Sequence, residues 1–194
     1  VQQIFVAWAQ TAKSFPSHKT CVMGVPVRAS LQSGSRERAL SRFRLDETKR
    51  TLLVFGGGTG SRWINEQMAE IASQLKRDFN VIHIMGRGKG FLSSENGSIA
   101  VEYLEEGMED AYAVADLVVC RGGLGTISEL SALGKSAIII PLPDSAQEEN
   151  ARLLEMHGAA CVLSQDKTTS KQLLEEILAL MDDQRRRRQY SEHI

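Results

Sequence analysis

Leu52-Leu53-Val54-Phe55-Gly56-Gly57-Gly58-Thr59-Gly60-Ser61 is the stretch on which the fold turns: four apolar residues, a run of glycines, then a polar residue. A short, wholly apolar run of this kind marks a strand buried on both faces. Ser61 can cap a helix whose apolar face carries Ile64, Met68, Ile71 and Leu75, at spacings of four, three and four. Strand, glycine turn and helix together predict one unit of a parallel sheet covered by helices.

The same alternation extends over most of the chain. Further apolar runs stand at residues 81–85, 99–104, 117–120, 137–141 and 160–163. One helix is expected to start near Thr126, bury Ile127, Leu130 and Leu133, and stop at Gly134. Another runs from about Gln147 to His157 and ends at Gly158. A third begins among Thr168, Thr169 and Ser170 and carries Leu173, Leu174, Ile177, Leu178 and Met181. The pattern is that of an α/β fold, a doubly wound parallel sheet of Rossmann-like form. Residues 1–48 read as a leading segment: the strand-like run Ile4-Phe5-Val6-Ala7-Trp8, a turn around Gly24 and Pro26, and a short helix near residues 36–44. Residues 49–183 form the expected core, and 184–194 a basic tail.

At 194 residues there is room for one well-buried domain. Apolar residues make up 42% and charged residues 24%, as in ordinary globular proteins. A net charge of −1 gives no electrostatic reason to expect nucleic acid. Cys21, Cys120 and Cys161 lie far apart inside apolar runs and read as buried small hydrophobes in a reducing compartment. No CxxC pair, Cys/His cluster or DxD pair marks a metal site, and none of the motifs calls for a cofactor. No apolar run approaches the ~20 residues of a membrane span. The chain opens at Val1 without methionine, as expected of a piece of something longer.

In doubly wound folds ligands bind beyond the carboxyl ends of the strands. The turn at residues 56–61 lets a ligand approach the backbone, and exposed N–H groups with the helix dipole favour an anion such as a diphosphate. Its glycines also serve for a tight turn alone. No Lys-Ser/Thr pair follows, so it is not a P-loop. A NAD site wants an acidic residue at the tip of the next strand; Gly86-Arg87-Gly88 stands there instead.

A second glycine-rich turn, Arg121-Gly122-Gly123-Leu124-Gly125-Thr126-Ile127-Ser128-Glu129, follows the run at 117–120. Two such turns after two strands point to two polar sections of one ligand. Thr126 and Glu129 are three apart and are expected on one face of a first helical turn. The carboxylate either accepts hydrogen bonds from both hydroxyls of a ribose or complements the helix dipole. Gln147 and Asn150 share a face at another helix start, suited to sugar hydroxyls or to local capping.

Taken in order, these segments resemble the MurG family, bacterial transferases that move N-acetylglucosamine from UDP onto a lipid-linked muramoyl-peptide. Gly24-Val25-Pro26-Val27-Arg28 is similar to the family's GNPVR segment, with Val25 in place of Asn. Residues 52–57 with Gly60-Ser61-Arg62 and Asn65-Glu66 resemble its first glycine loop, where Gly58-Thr59 replaces a Ser-Gln pair. Residues 116–130 resemble its ribose-binding loop. Gln147, Asn150 and Ala151, followed by Gly158-Ala159-Ala160, resemble its sugar-binding segment, where Ala146 replaces a frequent His.

The resemblance implies the second, donor-binding lobe of a two-lobed GT-B glycosyltransferase. Arg28 would lie near the nucleotide, and Gly57, Gly58 and Thr59 against the diphosphate. Tyr103 and Leu104 would present backbone to the uracil edge. Thr126, with Gly125 before it, would approach the phosphates, Glu129 would hold the ribose, and Gln147 and Asn150 the hexosamine. The donor would be UDP-N-acetylglucosamine. The lipid-linked acceptor, the general base and peripheral contact with the inner face of the plasma membrane would belong to the absent lobe, leaving this chain inactive alone.

Two other readings stand beside it. A split glycosyltransferase would use this chain as its donor-binding subunit, with a separate membrane partner holding the acceptor. A NADP-dependent oxidoreductase domain would use Arg87 for a 2′-phosphate, against the missing acidic residue and the second glycine turn. His83, inside an apolar strand, reads as a satisfied core residue. Trp8 and Trp63 read as packing or as contacts toward the absent lobe. The arginine run 185–188 reads as a solvated helix end or a contact for anionic lipid.

Overall fold

The computed structural model describes residues 1–89, 93–95 and 97–194. A leading unit comprises β1 (Ile4–Val6), α1 (Ala9–Ala12), β2 (Thr20–Val22) and α2 (Arg36–Phe43). There follow β3 (Arg50–Phe55), α3 (Arg62–Asp78), β4 (Phe79–Ile84), β5 (Ser93–Glu95), β6 (Ser98–Val101), α4 (Met108–Val114), β7 (Leu117–Cys120) and α5 (Leu124–Leu133). The chain closes with β8 (Ala137–Ile139), α6 (Ala146–Met156), β9 (Cys161–Val162), α7 (Ser170–Asp182) and α8 (Gln184–His193).

Among the described residues the main sheet runs β5-β6-β4-β3-β7-β8-β9. Every pairing is parallel except β5 with β6. Leaving that edge hairpin strand aside, the order is the 3-2-1-4-5-6 of a doubly wound fold. Leu52 pairs with Val81 on one side and Leu117 on the other, so β3 is central and the winding reverses between β3 and β7. The crevice at that reversal opens beyond the strands' carboxyl ends.

Alternate residues of the central strands feed two cores. Leu53, Phe55, Val118 and Cys120 pack with α2, α4, α5 and α6; Leu52, Val54, Leu117 and Val119 pack with α3 and α7. Two-sided burial is why these strands read as continuous apolar runs rather than alternating ones. Helix α3 begins as expected: Ser61 Oγ accepts from the Ile64 N–H at 3.3 Å. Helix α7 carries a full capping box between Thr169 and Gln172.

Several expectations need correction. The strand expected at 99–104 ends at Val101, which leaves Tyr103 and Leu104 in the loop beyond it. Helix α5 starts at Leu124, two residues early, because Gly123 already takes the extended N-cap conformation. Helix α4 falls in a stretch that carried no helical reading. Cys120 and Cys161 are buried as expected, but Cys21 is exposed, as is Phe5, its register partner on the two-stranded β1–β2 ladder. The basic tail is helix α8: Asp183 caps it, Tyr190 is buried, and Arg186 pairs with Glu176 of α7 at 2.7 Å. Helix α2, in the leading segment, puts Ala39 and Phe43 into the main core.

Candidate functional site

The two glycine turns lie on either side of the reversal between β3 and β7, and between them opens a cavity of about 300 Å³. Gly57 and Gly58 form one wall, Gly125, Thr126 and Glu129 another, and Leu104 with its loop a third. Arg28 closes the rim from the leading segment. The 56–60 turn and Glu129 thus face one space, as a single ligand spanning both requires.

The glycines divide by role. A Cβ on Gly60 would fall 2.1 Å from the Met85 carbonyl oxygen, and a Cβ on Gly86 of the neighbouring loop would fall 2.6 Å from the Gly60 Cα, so this contact is a demand of folding. Gly58 differs: its φ is not positive and a Cβ there would touch nothing within 4 Å. The turn's internal packing explains Gly60; it does not explain Gly58, which faces the cavity.

Glu129 stands in the second turn of α5 rather than the first, because the helix begins at Leu124. Dipole complementation fades beyond the first turn, so the side chain's own partners account better for its place. Its Oε2 accepts from the Tyr112 hydroxyl at 2.8 Å, and its Oε1 faces an Arg28 guanidinium nitrogen at 3.7 Å. Glu129 keeps 23% of its side-chain surface, enough for a ligand to reach. Burial and the Glu129 charge push the Tyr112 hydroxyl well above its ordinary range, so it remains a donor. The same two causes keep the Cys120 thiol protonated.

Helix α4 organises this side of the site. Met108 and Glu109 line the cavity and Tyr112 holds Glu129. Asp110 is fully buried and accepts from the Ser35 N–H at 2.9 Å and from Arg38 at 2.8 and 3.1 Å, with Arg42 at 3.5 Å. That cluster fastens α2 and the 3-10 turn Ala29–Ser33, whose N-cap is Arg28. At the mouth, Arg87 lies over the Tyr103 ring, 4.7 Å from its centroid.

The remaining site candidates lie elsewhere. Thr59 and Gln147 line a second cavity of about 460 Å³ across the same glycine turn, together with Trp63 and Arg121. Gln147 Oε1 accepts from the Leu142 N–H at 3.1 Å. Asn150 Nδ2 donates to the Gly122 carbonyl at 3.1 Å, tying α6 to the second glycine turn. Sequence reasoning attached no role to Arg121. It is buried, donates to the Ile140 and Pro141 carbonyls, and also reaches Ser61 Oγ at 2.8 Å and Gln165 at 2.7 Å. It joins the first glycine turn to the loop after β8. His83 is a satisfied core residue: its Nε2 meets Asn65 Oδ1 at 3.0 Å, and burial pushes its pKa down to about 4.

A doubly wound sheet with a polar-rimmed cavity between two glycine turns at its reversal point defines an α/β domain of the class that holds ligands beyond the carboxyl ends of its strands. The chain belongs, more particularly, to the glycosyltransferase family 28 C-terminal domain family, which residues 51–193 match. A UDP-N-acetylglucosamine–N-acetylmuramyl-(pentapeptide) pyrophosphoryl-undecaprenol N-acetylglucosamine transferase from Clostridium perfringens (strain SM101 / Type A) is 35% identical over 178 residues. The match covers 89% of this chain and 50% of that protein. The transferase of the same description from Lachnospira eligens is 33% identical, with 90% of this chain and 51% of that protein covered. This chain therefore spans about half the length of these relatives. Among solved structures, Acinetobacter baumannii MurG superposes with a TM-score of 0.68 at 23% identity, over 99% of this chain and 60% of that one. The kitacinnamycin glycotransferase superposes with a TM-score of 0.73 at 18% identity, over 98% of this chain and 49% of that one. At such identities these two structures speak to the fold, which is the Rossmann-like lobe of a GT-B glycosyltransferase. The MurG-like character read from the motifs holds for the chain.

Proposed function

We propose that this chain is the UDP-N-acetylglucosamine-binding lobe of an inverting MurG-like N-acetylglucosaminyltransferase that acts on a lipid-linked peptidoglycan precursor. One observation carries the reading: both glycine turns and the Glu129 carboxylate line a single cavity at the sheet's reversal point. In this reading the α5 N-terminus and the backbone of the 56–60 turn receive the diphosphate, Leu104 and its loop the uracil edge, and Glu129 the ribose. Gln147, across the turn in the adjoining cavity, and Asn150 are assigned to the hexosamine. Arg28, 67% exposed and close to Glu129, is assigned a place near the nucleotide.

Donor-side catalysis is then electrostatic: oriented amides and a helix N-terminus stabilise the charge that develops on departing UDP. Inversion also needs a base within hydrogen-bond reach of the acceptor hydroxyl. That base and the acceptor site belong to a facing lobe, which would also make the peripheral contact with the cytoplasmic face of the membrane. Support for a missing neighbour comes from β1 and β2. Two parallel strands do not make an independently stable sheet, and Phe5, Val22 and Met23 stand exposed on and beside them. Calorimetric titration with UDP-N-acetylglucosamine tests the reading: saturable binding without transfer to a lipid-linked acceptor is expected. Heat-silent addition of the nucleotide sugar, or turnover by the purified chain alone, would overturn it.

A further inference from the structure

We infer that Tyr112 is a positioning residue that holds the Glu129 carboxylate in one orientation, with one oxygen turned to the nucleotide, an inference that rests on the ribose assignment above. Glutamate on a helix surface ordinarily samples several rotamers, and its carboxylate plane turns through a broad range of χ3. Here both freedoms are removed on one side. The Tyr112 ring is fully buried and packs edge-on against Phe55, with centroids 5.9 Å apart and planes at 88°. Its hydroxyl therefore occupies a fixed point, 2.8 Å from Glu129 Oε2. Phe55 itself lines the cavity, so the ring, its partner and the carboxylate form one packed wall.

The consequence is a division of labour between the two oxygens. Oε2 is committed to Tyr112; Oε1, faced by Arg28 at 3.7 Å, is the oxygen left for a ligand hydroxyl. A phenol held protonated by burial can only reinforce this arrangement, because it donates and never competes as an anion. Tyr112 touches no ligand atom in this scheme. It acts through Glu129, by removing alternative carboxylate orientations before the nucleotide arrives.

The test is a comparison of two probes on wild type, two single variants and the double variant. UDP and 2′,3′-dideoxyuridine diphosphate are titrated into wild type, Tyr112→Phe and Glu129→Ala. Wild type should prefer UDP, and Tyr112→Phe should shrink that preference about five- to tenfold by weakening UDP while leaving the dideoxy affinity unchanged. The double variant Tyr112→Phe/Glu129→Ala should show no more loss than Glu129→Ala alone, since the phenol works only through the carboxylate. A purely structural role for Tyr112 would weaken both probes alike and overturn the inference. So would an undiminished preference for UDP in Tyr112→Phe. If wild type itself shows no preference, the ribose assignment fails and the inference falls with it.

Discussion

Asp110→Ala removes the acceptor at the centre of the cluster that ties the leading segment to α4. The Ser35 N–H donates to this fully buried carboxylate at 2.9 Å, a charge-assisted bond whose loss costs about 1.5–3 kcal/mol. Arg38 and Arg42 are 54% and 40% exposed, so on losing Asp110 they turn into solvent. Their pairs are therefore discounted to about 0.5–1 kcal/mol each. The expected loss is about 2.5–5 kcal/mol, which for a chain of this size lowers Tm by roughly 5–20 °C. Differential scanning calorimetry measures it. UDP affinity should fall as well, because Arg28 is carried by the segment that Asp110 fastens. The pH dependence has a definite sign. Burial alone would raise the Asp110 pKa, but the Ser35 N–H and the two guanidiniums outweigh it and hold the carboxyl below its ordinary range. A depressed folded-state pKa contributes stability above the unfolded value, near 4, and loses it as pH falls through the folded one. Asp110→Asn should flatten this acid limb. A Tm within about 2 °C of wild type for Asp110→Ala would refute the claim that the cluster anchors the segment.

Glu129→Ala should weaken UDP binding by about 1.5–3 kcal/mol, the usual worth of hydrogen bonds to a charged group; an affinity equal to wild type in calorimetry would remove Glu129 from the site. Gly60→Ala forces a Cβ into the Met85 carbonyl at a φ of 70° and should cost more than about 2 kcal/mol in urea unfolding, whereas Gly58→Ala should cost under about 1. His83 takes up its proton only near pH 4 while an unfolded histidine does so near 6.5, so stability should drop by about 3 kcal/mol across that interval. His83→Gln should lose that dependence in pH-resolved unfolding, and an assigned His83 NMR resonance titrating near 6.5 would contradict the burial argument.

The doubly wound core was legible because two-sided strands and long amphipathic helices both leave strong periodic signals. Ser61 announced the start of α3, and Ile64, Met68, Ile71 and Leu75 its buried face. Helix α4 was not legible. It has only seven residues, too few for a 3.6-residue period to stand out, and its inward positions include Asp110 and Tyr112, whose burial depends on partners distant in sequence. The same cause hid Tyr112 as the partner of Glu129, and Arg121 as the bridge between two loops. Helix α8 was obscured by its arginines. One of them, Arg187, donates to the Leu180 and Met181 carbonyls at the end of α7, which turns an apparently solvated run into a docked helix. The candidate site divides along the same line. Gly57, Gly58, Gly125, Thr126 and Glu129 line one cavity, whereas Thr59, on the same turn as Gly57 and Gly58, lines the adjoining one. Gln147 and Asn150 share a helix start, yet their amides bond to Leu142 and Gly122, partners that spacing could not reveal.

Calorimetric titration of the chain with UDP, GDP and ADP under identical conditions tests the central claim most directly. A pocket in which Leu104 and its loop read the uracil edge and Glu129 the ribose should bind UDP saturably, at least about tenfold more tightly than either purine diphosphate. Equal affinity for all three, or no measurable binding of UDP, would contradict it.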